Sequence, residues 1–286
     1  MVADLGRYTQ LLETVSLYLL HVLSWLMADL SGARAKLERA NQHIRDLAAQ
    51  QGIFLSDNPY TTVPQYQSER NVTAYFLKSM KPVPPVIPLI AGDIVHNLRT
   101  ALDYVAFGLV PAGLPTRDIY FPICESPEKY RAGSPGKTKG IPEPSKKRID
   151  NFKPYLGGDG DDRFWLLHRL DIIDKHHLLI TFLAQVKTID FSLDTETVNR
   201  AFEGFLNLPL GAIPQQTARM EAPQTLLPLK EGTVMCEIAG KPEAYGDIHF
   251  SFDIGIGEPD VFKGKSLVPT LVDLADVVKN VLLAFE

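Results

Sequence analysis

Cysteine is almost missing from this 286-residue chain. The two present, Cys124 and Cys236, are too few for a disulfide framework and lack the paired spacing of a zinc site, which fits a reducing cytoplasm. Long uninterrupted apolar runs are missing as well. The most hydrophobic N-terminal stretch, Ser16 to Leu30, carries His21 and Asp29 inside it and has no basic cluster ahead of it. That makes it a poor signal peptide and a poor membrane span, for which about twenty apolar residues are needed. Surplus positive charge is lacking too: the net charge of −5 excludes a protein that coats nucleic acid by bulk electrostatics. No phosphate-cradling Gly-rich loop, nucleophile elbow, HExxH, CxxC pair or internal repeat occurs, so the familiar enzyme signatures are few.

What is present is an ordinary globular balance, 45% apolar and 22% charged, in a chain long enough to bury a sizeable core. One stretch stands out, running from Ile87 to Leu109. Four unlike polar groups, His96, Asn97, Arg99 and Asp103, sit there inside a strongly apolar helical pattern. At roughly 100° per residue His96, Arg99 and Asp103 share one stripe, and Ile94, Leu98, Ala101, Leu102, Val105 and Leu109 form the opposite face.

Around it the periodicities set the remaining elements. Apolar residues recur every three or four positions from Leu12 to Leu47, which predicts a long N-terminal helix through Gly32, with heptads suited to a homodimer. Asn71 to Lys78 reads as a strand with Tyr60 to Val63 as its partner, and the Pro-rich Lys81 to Pro88 sets up the central helix. Between Glu128 and Lys153 eight basic residues (Lys129, Arg131, Lys137, Lys139, Lys146, Lys147, Arg148, Lys153) face three acids. This stretch reads as a solvated basic loop over 121–160 with a short amphipathic turn at Lys146 to Phe152, or as a local anion-binding arm. Gly157 to Asp162 lacks EF-hand spacing and reads as an acidic cap for a helix from Asp162 to Leu183. Alternation then predicts strands around Ile189 to Leu193, Val234 to Ile238 and Ile248 to Ile256, and Thr270 with Asp273 caps a C-terminal helix.

The 162–183 helix is apolar nearly all round, yet His168, Asp171 and Lys175 share one arc while Arg169, Asp174 and His177 point elsewhere. Buried ionisable groups must find partners, and the His96, Arg99, Asp103 stripe is the obvious counterpart. We expect His96, Asn97, Arg99, Asp103, Asp171, Asp174, Lys175 and His176 to form one polar cluster between the two helices, with Arg99 forked onto Asp171 or Asp174. Such a cluster suits metal-independent RNA chemistry: His176 or His96 takes the proton of a 2′-hydroxyl, while Arg99 and Lys175 hold phosphate. The Arg169 to His176 spacing resembles the Rx4-6H signature of HEPN-type ribonucleases. Competing readings are a non-enzymatic scaffold whose inter-helix ion pairs are structural, and a divalent-metal bundle. The metal reading rests on the Asp93/His96 and Asp174/His177 pairs, with Glu13 and Glu38 as further candidates.

The chain also resembles a group of uncharacterised bacterial and phage-borne proteins. Its runs Gly92 to Asp103 (GDIVHNLRTALD), Phe121 to Ile123 and Leu167 to His176 (LHRLDIIDKH) look like that group's signature. The resemblance implies no secured function. Tyr104 stands where similar proteins carry a His that would complete an Rx4H spacing from Arg99, and His177 where they carry Arg.

Taken together, the expectation is an α+β protein forming a single intertwined unit over residues 1–286. Its helical part is drawn from 1–50, 88–110, 162–183 and 270–286, and its mostly antiparallel sheet from 60–78 and 186–256. No cofactor or metal is expected, no membrane, RNA as partner through the basic loop, and a cytoplasmic location.

Overall fold

A computed structural model describes residues 28–177, 182–193, 216–221, 229–242, 248–257 and 264–286. The fold is α+β, with helices and antiparallel sheets. Among the described residues the helices are α1 (Ser31–Ser56), α2 (Val86–Gly108), α3 (Pro127–Lys137), α4 (Glu143–Asn151), α5 (Asp162–His177) and α6 (Leu267–Ala284). The strands are β1 (Tyr60–Gln67), β2 (Val72–Met80), β3 (Phe182–Leu193), β4 (Gln216–Glu221), β5 (Val234–Ala239) and β6 (Ile248–Ile256). They make two antiparallel three-stranded sheets, ordered β1-β2-β5 and β4-β3-β6. No helix among the described residues is long and apolar enough to cross a membrane.

The chain divides into two compact units, each discontinuous in sequence, and each is described by itself. The first comprises residues 1–44, 91–178 and 271–286, and so holds most of α2 together with α3, α4 and α5. Its core forms because apolar residues fall at helical spacing: Ala33, Leu37, Ala40 and Ile44 on α1, and Ile94, Leu98, Ala101, Leu102 and Val105 on α2. Phe164, Leu167, Leu170 and Ile173 on α5 and Leu271, Leu274, Val278, Val281 and Leu282 on α6 complete it. The second unit, 45–90 and 179–270, holds both sheets. They meet through Tyr75 against Phe250 and Tyr60 against Phe252, with ring centroids 5.8 and 4.8 Å apart.

Several elements differ from the sequence reading. The first described helix starts at Ser31, not as a continuation through Gly32: Ala28 to Leu30 are non-helical and the Asp29 carboxylate accepts the Ser31 N–H at 3.0 Å. It then runs on to Ser56, and its stripe is buried within the chain. The N-terminal heptads before Ala28 lie outside the described residues, as does Glu13. The basic stretch is not a loop, because α3 and α4 fill it. Ser126 caps α3, its hydroxyl accepting the Lys129 N–H, with Pro127 in the first turn.

The helix expected over 162–183 is shorter. Its described part ends at His177, and Phe182 and Leu183 pair with Ile256 and Gly255 as the start of β3. A short apolar run bounded on neither side by Gly or Pro reads equally as helix or strand. The acidic cap of α5 is Asp161, whose carboxylate accepts both the backbone N–H and the side chain of Arg163. Thr270 does not cap α6. It lies within the first turn and donates back to the Ser266 carbonyl at 2.7 Å, and Asp273 instead takes Arg163 at 2.9 Å.

Candidate functional site

The site is a seam between α2 and α5, both drawn from the first unit. Matched positions ascend α2 while descending α5, so the helices run antiparallel there. Gly92 faces Asp174, His96 faces Asp171, and the charge of Arg99 acts on His168. Successive matches are separated by three or four residues on each helix, the spacing that keeps side chains on one face.

At the centre is the Asp171 carboxylate, whose side chain is only 6% exposed. One oxygen accepts the His96 Nδ1–H across the seam at 3.4 Å, and the other accepts Lys175 Nζ one turn along α5 at 2.6 Å. With Nδ1 turned to the carboxylate, Nε2 is the ring nitrogen of His96 left open, and the ring is half exposed. Lys175 is exposed beside it. A carboxylate that orients an imidazole, with an ammonium alongside, can take a proton from a hydroxyl and meet the negative charge that follows.

Asp174 lies one step along the seam. A methyl group at Gly92 would sit 2.7 Å from its carboxyl carbon and closer to one of its oxygens, so the carboxylate occupies the space a side chain there would take. Burial raises the pKa of this carboxyl, and the nearby charges of Asp171 and Asp93 raise it further against His96 and Lys175.

Arg99 does not fork onto Asp171 or Asp174. Its guanidinium is buried, gives one N–H to Asp103 at 2.7 Å and another to the Phe121 carbonyl at 3.2 Å, while Asp103 also accepts the Phe121 N–H at 3.0 Å. The pair thus grips both backbone polar groups of Phe121, whose ring stacks on Phe164 of α5 with centroids 5.7 Å apart. Burial pushes the Asp103 carboxyl upward, with Arg99 and the Phe121 N–H pulling it down. An Arg held in this way positions the chain and is not open to a phosphate. Asn97, also buried, accepts from Lys36 and donates to the Asp93 carbonyl.

His176 stands apart. It is exposed, and five residues beyond Asp171 on a helix it points away from the seam, with no ion pair among the described residues. The His177 side chain, on which the second metal pair depended, lies outside the described residues. Among the described residues no three His, Cys, Asp or Glu side chains come close enough together to hold a metal ion.

His168 was not among the expected site residues. It packs against Trp165, its Nδ1 is buried with no hydrogen-bond partner among the described residues, and its pKa falls to about 4. Burial is the largest cause, with Arg99 and Lys137 adding to it. Its place on the Asp171 and Lys175 arc was the signal for it. The backbone of Phe121 has no such signal, because any residue type carries those groups. A cavity of about 270 Å³ elsewhere in this unit, lined in part by Leu30, Arg34, Leu109, Arg148 and Phe285, includes none of the seam residues.

The seam joins residues of 92–103 to residues of 168–175, and Arg99 and Asp103 tie Phe121 to it. Comparison of the chain with protein-family models, with curated proteins and with solved structures gives no match.

Proposed function

We propose that the α2/α5 seam is a metal-independent acid–base centre acting on RNA. His96 is the general base on a 2′-hydroxyl, Asp171 orients it, and Lys175 meets the charge on the adjacent phosphate. The observation that carries this is the single buried carboxylate of Asp171 holding an imidazole and an ammonium side by side, with His96 Nε2 left open. Arg99 and Asp103 keep a positioning role through Phe121, and His176 has none.

Three carboxylates crowd the centre, so the nucleic-acid backbone needs cations beyond Lys175. The stretch from Glu128 to Lys153 belongs to the same unit. Lys129, Arg131, Lys146 and Lys153 pair there with acids, whereas Lys139 and Lys147 are exposed with no ion pair among the described residues. A homodimer through the N-terminal heptads belongs to the same proposal, and sedimentation of the purified chain tests it.

The test of function is incubation of the chain with total RNA in EDTA. The expected result is cleavage leaving 2′,3′-cyclic phosphate ends, abolished by His96→Ala and undiminished by His176→Ala. Absence of cleavage sinks the proposal. It would favour the scaffold reading, for which the buried and fully paired Arg99–Asp103 grip on Phe121 is the specific support.

A further inference from the structure

We infer that Asp174 is the proton donor of this centre, the group that protonates the leaving oxygen while His96 deprotonates the attacking one. The inference rests on the RNA-acting proposal and adds the acid to its base. Three carboxylates stand on the seam, and their surroundings separate their roles. Asp171 has both oxygens committed, one to His96 and one to Lys175, and is nearly sealed from solvent. Asp93 is exposed on α2. Asp174 is partly exposed, so a substrate can reach it, and it is seated on the bare backbone of Gly92, one helical turn before His96 on the same face.

The charged groups facing Asp174 are Asp171 and Lys175 from α5 and Asp93 and His96 from α2. Burial and the two carboxylates outweigh the opposing influence of His96 and Lys175, and so favour the protonated acid. Concerted acid–base transfer needs a protonated acid beside its base, and a carboxyl shifted upward on the face that carries His96 suits the acid's part.

His96 Nε2 takes the 2′-hydroxyl proton, the O2′–P bond forms, and the P–O5′ bond breaks with its electron pair on O5′. The Asp174 carboxyl O–H gives its proton to O5′. Products are a 2′,3′-cyclic phosphate and a 5′-hydroxyl, and exchange with water returns a proton from the imidazolium to the Asp174 carboxylate.

The test compares two substrates in EDTA: the dinucleotide uridylyl-(3′,5′)-adenosine, whose alkoxide must be protonated as it leaves, and uridine 3′-(p-nitrophenyl phosphate), whose phenolate need not be. Asp174→Asn should lose about 100-fold or more in kcat/KM on the dinucleotide and less than about 10-fold on the nitrophenyl ester. His96→Ala should lose comparably on both. Asp174→Ala, which leaves Gly92 unopposed, should repeat the pattern, and an unchanged circular dichroism spectrum checks that each variant folds. Equal losses on the two substrates, or none on the dinucleotide, overturn the role of Asp174 and leave the RNA-acting proposal standing. Failure of the unaltered chain to cleave either substrate overturns both.

Discussion

His168 sets the clearest expectation at the scale of single residues. Its folded pKa of about 4 lies below that of a free histidine, so the unfolded chain binds the proton first as the pH falls. Stability is therefore flat above about pH 6.5 and lost between there and about pH 4, by up to about 3 kcal/mol at 1.4 kcal/mol per unit. Urea unfolding across that window should show the loss, and His168→Leu, which also removes an unpartnered buried nitrogen, should remove most of it. The Arg99–Asp103 pair gives a second expectation. Asp103→Ala leaves a buried guanidinium facing one carbonyl and should cost about 3–5 kcal/mol. Arg99→Met should cost less, because the carboxyl left behind can protonate, and denaturant midpoints of the two variants give the order. Sequence alone placed His96, Asp171 and Lys175 on facing arcs, since helical spacing fixes direction. It could not assign Arg99, whose partner is main chain at Phe121, and side-chain pattern does not encode main-chain partners.

At the scale of elements, the packing of α2 on α5 depends on Gly92. Gly92→Ala should destabilise by about 1–3 kcal/mol, because the methyl meets the Asp174 carboxylate, despite the better helix propensity of alanine. Combined with Asp174→Ala the clash is gone, and the double variant should be more stable than Gly92→Ala alone; a thermal-unfolding cycle measures the coupling. Helices with clean periodicity, α2 and α6, were legible to within a few residues, and so were β2, from its β-branched and aromatic residues, and β6, from its alternating pattern. The helices α3 and α4 were not. Pro127, Pro135 and three glycines of the Gly133 to Gly140 stretch mask their period, and a serine cap with an early proline is a local signal easily lost among such residues. The end of α5 was misread for the opposite reason, an excess of apolar residues that suits helix and strand alike.

For the whole molecule, the α+β class followed from the switch of period after residue 186, and the sheet strands came from both sides of the central helices as expected. Within the first unit residues 92 and 174 meet although 81 positions, which supply other elements, lie between them. The function proposed for the seam treats His96 and Asp171 as one device, and residues acting as one device lose their effect together. The decisive measurement is therefore the rate of RNA cleavage in EDTA by His96→Ala, Asp171→Asn and the double variant. The account predicts that each single change removes most of the cleavage and that the double removes no more than His96→Ala alone. Independent, multiplying losses, or an unaltered chain that leaves RNA intact, would contradict it.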